Sequence, residues 1–105
     1  MKITYKDKEY ELKYSFRALM IYENITNKSF QPKSLTDLIT LFYSMMISST
    51  MEPIDYNEFL DWLDDNPDEL NNFSAFILGV IDTNNMKSPT LNKNDKKKGN
   101  KEPKN

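Results

Sequence analysis

The chain has 105 residues, no cysteine, no histidine and two glycines, with a formal net charge of −2. That length holds one domain; the missing cysteines exclude disulfide and zinc–thiolate chemistry, and the missing histidines remove the side chain that titrates nearest neutrality. Residues 1–82 carry seven bases against fourteen acids, leaving −7, whereas residues 83–105 carry seven lysines against Asp95 and Glu102, leaving +5.

The first thirteen residues alternate. Ile3 and Tyr5 share one side of a strand over about 2–6, and Tyr10 and Leu12 one side of a second over about 9–13, with Asp7-Lys8 as the two-residue turn. Ser15 is placed to cap a helix over about 15–25. In it Phe16, Leu19, Met20 and Glu23 share one side, and Ala18, Tyr22 and Ile25 another. Only Arg17 and Asn24 make a polar stripe, so most of this helix is expected to be packed. Asn27 suits a left-handed residue just past its end.

Ser34 with Asp37 forms a capping box for a helix over about 34–49. Its apolar face is Leu35, Leu38, Ile39, Leu41, Phe42, Met45 and Met46; Thr36, Asp37, Thr40, Ser44 and Ser48 lie opposite. Glu52-Pro53 ends it. Asp55 with Glu58 opens a helix over about 55–65, lined by Tyr56, Phe59, Leu60 and Leu63. Asn66, as cap, with Pro67 and Glu69 opens another over about 67–82, burying Leu70, Phe73, Phe76, Ile77, Val80 and Ile81. Residues 84–105, rich in Asn, Lys, Ser and Pro, read as a disordered basic tail. The expected fold is mainly α: a short N-terminal β-hairpin, then a compact four-helix domain, together residues 1–83.

The pattern points away from membranes and from catalysis. Leu38–Met51, the longest uncharged stretch, is too short to span a bilayer, and no basic-then-apolar signal segment opens the chain. Paired carboxylates can act as acid and base, but they need a substrate cleft that a domain this small has little room to form. No Gly-rich phosphate loop is present. The expectation is a binding protein, not an enzyme, with no cofactor.

Three features could carry the binding. The acids Glu52, Asp55, Glu58, Asp61, Asp64, Asp65, Asp68 and Glu69 fail as a calcium loop, because Glu69 stands where the turn needs Gly and Ala75 where a bidentate Glu belongs. They are either capping boxes plus a solvated face or an electrostatic surface for a basic partner. Trp62 is either an anchor at the core margin or a binding hot spot. The outer side of the second helix is uncharged. Either a neighbouring element covers it, or it is a contact surface with Tyr43 and Ile47 as its apolar part. The candidate partner-binding set is therefore Tyr43, Ile47, Glu58, Asp61 and Trp62. The Lys96-Lys97-Lys98-Gly99 run lacks the aromatics and arginines of a nucleic-acid site and reads as solubilising, so no nucleic-acid partner is expected.

The opening KITYKDKEYELKY runs directly into SFRALMIYENITNKSF. This segment resembles the small tail assembly chaperones of long-tailed bacteriophages, with their short strand pair, F-x-x-L-x-x-x-E helix and T-G-K-x-F-like loop. The matching positions are Phe16, Leu19, Glu23, Thr26, Lys28 and Phe30, with Asn27 in place of the glycine. The likeness is specific over residues 2–30 and general in character beyond, in FLDWLDDNPDELNNF above all. It implies a non-structural factor of the host bacterium's cytoplasm, absent from the mature virion. Such a factor binds and solubilises the tape measure protein until tail tube subunits polymerise around it. It also implies homo-oligomers and a longer form made by ribosomal frameshifting. The alternative is a small phage-encoded acidic inhibitor or regulator that docks on a host protein through its acidic helices.

Overall fold

Alternating side chains make the first two elements, β1 (Lys2–Tyr5) and β2 (Lys8–Glu11), which pair antiparallel with Ile3 opposite Tyr10 and Tyr5 opposite Lys8. The computed structural model describes residues 1–83; the basic tail expected over 84–105 lies outside them. The turn is Lys6-Asp7, with φ of 51° and 64°, and not Asp7-Lys8 as expected. Moving the turn by one residue shifts the pairing by two, so both registers keep the same side chains on the same face. Alternation alone therefore could not choose between them. In the observed register the ladder extends to a Leu12 N–H bond to the Met1 carbonyl, 2.7 Å. Lys6 and Lys8 also reach Glu58 and Glu52.

Four helices follow: α1 (Phe16–Thr26), α2 (Leu35–Thr50), α3 (Tyr56–Asp65) and α4 (Pro67–Thr83). The fold is mainly helical, with the hairpin as its only sheet among the described residues. Ser15 caps α1 through its Oγ, which accepts from the Ala18 N–H at 3.1 Å. Ser34 does the same for α2 with Asp37, and Asp55 for α3 with Glu58. Ser15→Ala is expected to cost about 1 kcal/mol of unfolding free energy in a urea titration, the usual loss when an N-cap is removed. Asn27 ends α1 in the left-handed region, φ 61°.

Asn66 corrects an expectation. It is the C-cap of α3, and its side-chain amide donates back to the Trp62 carbonyl at 2.9 Å. Only its backbone carbonyl serves α4, accepting from Glu69 N–H. With one residue separating the two helices, its side chain satisfies an orphan carbonyl of the first and leaves the start of the second to Pro67, which has no N–H to satisfy.

The middle of the molecule is α2. Leu41, Phe42, Met45 and Met46 are fully buried, but so are Ser44 and, nearly, Asp37 and Thr40 from its polar side. Asp37, Thr40, Ser44 and Ser48 follow one another at helical spacing. Asp37 bonds to Tyr22 of α1, and Ser48 sits beside Phe16 and Arg17. The stripe therefore faces α1. On other sides, Phe42 stacks on Phe73 of α4 at 4.3 Å and Tyr43 meets Tyr56 of α3 edge-on at 4.9 Å. A helix without charge on its outer turns is one with neighbours all round.

The aromatic core joins hairpin to helices. Tyr5 makes edge contacts with Phe59 and Trp62, and Phe42 with both of these. Ring pairs of this geometry add roughly 0.5–1.5 kcal/mol each beyond area burial. Ile77 and Phe73 bury the inner side of α4.

Candidate interaction surface

The five residues expected to bind a partner have different fates. Tyr43 is half-buried: its ring lies between Tyr56 and Phe59, and its hydroxyl donates to the Ile54 carbonyl. Ile47 is partly buried against the core. Neither is a free contact, because hairpin, α1, α3 and α4 between them surround α2. Trp62 packs on Tyr5, Phe42 and Phe59 and is an anchor of the core margin. Glu58 is exposed but engaged by Lys6, as Glu52 is by Lys8, so these two acids fasten the hairpin to α3 and the loop before it. Such exposed pairs hold position more than they stabilise. Asp61 is exposed and makes no ion pair among the described residues, as is also true of Asp64, Asp65 and Asp68. No three acids among the described residues converge where a metal ion could sit. No described helix is long and apolar enough to cross a membrane.

The greasy surface lies elsewhere, on α1. Ala18, Leu19 and Tyr22 face inward, and the expectation that this helix is packed on most of its surface does not hold. Phe16 is 68% exposed, Met20 63% and Ile25 48%. Phe16 and Met20 form one row four residues apart; Arg17, Ile21 and Ile25 form the adjacent row, with Ile21 half-buried. Beside the start of this face runs an open groove of about 510 Å³ between α1, the end of β2 and the last turn of α2. A smaller groove of about 350 Å³ lies between the start of α2 and α4, with exposed Leu35 and Leu78 on its rim.

The sequence offered two apolar sides of α1 and no obvious way to choose. The choice falls to fit with α2. Ala18 is small, and the facing stripe of α2 is Thr40 and Ser44, so α1 packs more extensively on α2 than any other helix pair does. That inward turn leaves Phe16 and Met20 outside. The usable signal was the small-residue stripe on α2 matched to Ala18, read as an interface and not as solvated surface.

The junction of α1 and α2 is pinned by Asp37. Its carboxylate accepts from the Tyr22 hydroxyl and from Lys28 Nζ, both at 3.1 Å. Lys28 holds this carboxyl below the usual carboxylate range, with Tyr22 and Ser34 adding and burial opposing. The Tyr22 phenol is pushed up to about 12, first by burial and then by Asp37. The folded protein thus binds fewer protons than the unfolded chain in the acid window, so stability rises with pH there. The contribution of Asp37 is complete above about pH 4, the ordinary aspartate value, and disappears as pH falls through the lowered folded value. Asp37→Asn should flatten the acid limb of a stability–pH curve measured by urea titration. An unchanged limb would show that the pair contributes nothing. For Tyr22 the sign is opposite: its contribution is present below its unfolded value and fades as pH rises towards about 12.

The loop after α1 is built by the same cluster. Thr26 Oγ1 donates to the Tyr22 carbonyl at 2.9 Å and accepts from Lys28 N–H, Asn27 makes the left-handed step, and buried Phe30 meets Tyr22 edge-on at 5.3 Å. Thr26, Lys28 and Phe30 are therefore residues that shape the α1–α2 corner, while Phe16 and Glu23 stay outside it. No protein-family model, curated protein or solved structure matches the chain.

Proposed function

We propose that this chain is a non-catalytic tail assembly chaperone that holds the tape measure protein of a long-tailed phage in solution, with the outer face of α1 as its contact surface. The observation that carries the reading is the exposure of Phe16, Met20 and Ile25 on one eleven-residue helix. Phe16 and Met20 lie one turn apart on one side of it and Ile25 on another, and exposed apolar side chains of this size mark a place where a second chain is covered. The likeness of residues 2–30 to such chaperones supports the same conclusion, and Phe16 belongs to both arguments.

A tape measure protein is long and helical, and its apolar stripes aggregate when bare. A helix laid against another helix's apolar face is a standard recognition mode, anchored by side chains at i, i+3 and i+4 spacing. Many small chaperones, each covering one short stretch, protect such a chain by summed contacts. Each contact stays weak enough for tail tube subunits to displace it. Phe16 and Met20 supply one pair of anchors; Ile25, with Ile21, supplies another.

Co-expression tests this. The chain should raise the soluble fraction of the tape measure protein from the same phage genome, and Phe16→Asp with Met20→Asp should remove that effect while the domain keeps its helical circular-dichroism signal. Equal solubilisation by the double variant would reject α1 as the surface. Failure of the unaltered chain to solubilise any tape measure protein would reject the function. A second reading has one observation in its favour: Asp61, Asp64, Asp65 and Asp68 are exposed and unpaired among the described residues. They suit an inhibitor that docks on a basic host protein, and binding lost on Asp61→Lys with Asp64→Lys, steeply weakened by salt, would favour it.

A further inference from the structure

The α1 face carries exposed Phe16 and Met20, is basic at its first end and bears exposed Glu23 and Asn24 towards its last turn. Lys13 precedes the helix and Arg17 lies in its first turn, both exposed. Lys6, Lys8 and Lys28 are engaged by Glu58, Glu52 and Asp37, but Lys13 and Arg17 make no ion pair among the described residues. Both line the open groove beside Phe16, together with the hydroxyl residues Ser15 and Ser48. The one acid at that groove, Glu11, is already paired with the Met1 amino group at 3.2 Å. The eight acids from Glu52 to Glu69 sit on α3, the loop before it and the start of α4, elements that pack on other sides of α2. The body as a whole is strongly acidic, so two unneutralised cations beside its most exposed aromatic ring are a local reversal of sign.

We infer that the α1 face accepts an amphipathic helix whose apolar stripe is flanked by carboxylates, with Phe16 and Met20 taking the stripe and Lys13 and Arg17 the acids. This rests on the reading of α1 as the contact surface and adds the chemistry of the segment it selects. At the first end of α1 an acid-flanked stripe meets the two cations, whereas a lysine-flanked stripe brings like charges together at the groove; exposed Glu23, one turn past Met20, has the opposite preference at the far end. The same cations also attract the acidic α3 face of other copies, so the apolar anchors and not charge alone define the site. The acids of the partner set register: they fix which end of its helix lies over the Lys13–Arg17 end of α1.

Two fluorescent helical peptides test it on the full chain by anisotropy, one with a leucine stripe flanked by glutamates and the other with the same stripe flanked by lysines. The glutamate peptide should bind about tenfold more tightly at low salt, and the gap should close as ionic strength rises. Lys13→Glu with Arg17→Glu, both exposed and outside the core, should reverse the order. Phe16→Asp should weaken binding of both. Equal affinities, tighter binding of the lysine peptide, or no binding of either would overturn the inference. If the tape measure protein is still solubilised through Phe16 and Met20 under any of these outcomes, the chaperone reading survives and only the partner chemistry fails.

Discussion

Phe42→Ala is expected to lower the unfolding free energy by about 3–5 kcal/mol, the usual loss for truncating a buried aromatic. Phe42 is fully buried where three helices and the hairpin's aromatic cluster meet, stacked on Phe73 and edge-on to Phe59 and Trp62. A folded part of this size has roughly 5–10 kcal/mol of stability in all. About half of that margin therefore rests on one ring. Trp62, the sole tryptophan and 6.2 Å from the Phe42 ring, is a built-in fluorescent reporter for the urea transition. A midpoint within a few tenths molar of the unaltered protein would mean that the centre of the core lies elsewhere.

The second large effect concerns a residue that the sequence placed on the surface. Tyr43→Asp, if Tyr43 were a free contact, would leave the domain folded. The structure requires the opposite: the ring packs on Tyr56 and Phe59 and the hydroxyl satisfies the Ile54 carbonyl. Replacing it with a shorter charged side chain removes those ring contacts and sets a carboxylate near Asp55, at the cap of α3. A loss of about 2–4 kcal/mol is expected, combining truncation with an unfavourable charge. Tyr43→Phe isolates the hydroxyl, since it keeps the ring contacts and loses only the hydrogen bond, worth about 1 kcal/mol.

Which parts of this were readable in advance follows from physics local to each residue. Caps are local: Ser15, Ser34 and Asp55 each need only the N–H three residues on, so their positions mark three helix starts. Asn66 has two helix ends within reach and serves the earlier one with its side chain. The hairpin's two registers differ by an even shift, which alternation does not distinguish, and distant Glu52 and Glu58 favour the observed one.

The surface was the hardest part to read, for a related reason. A serine–threonine stripe is polar by composition, yet Ser44 satisfies its own hydroxyl on the Thr40 carbonyl at 2.8 Å and can be buried at little cost. Its small volume lets α1 lie close. An apolar row such as Phe16–Met20 looks like core until the helix has a preferred partner for its other side. Packing between helices decides what is left outside, and no single helix carries that information.

The most direct test places one probe on the outer face of α1 and others away from it. The methionines are well spread: Met20 lies on the outer face of α1, Met45 and Met46 are fully buried, and Met51 is exposed just past α2. With methyl-labelled methionine, a soluble helical fragment of the tape measure protein should shift or broaden the Met20 methyl signal in proportion to fragment bound. The Met45, Met46 and Met51 signals should stay in place. A saturating fragment that leaves Met20 unmoved would contradict the assignment of α1 as the surface this protein uses.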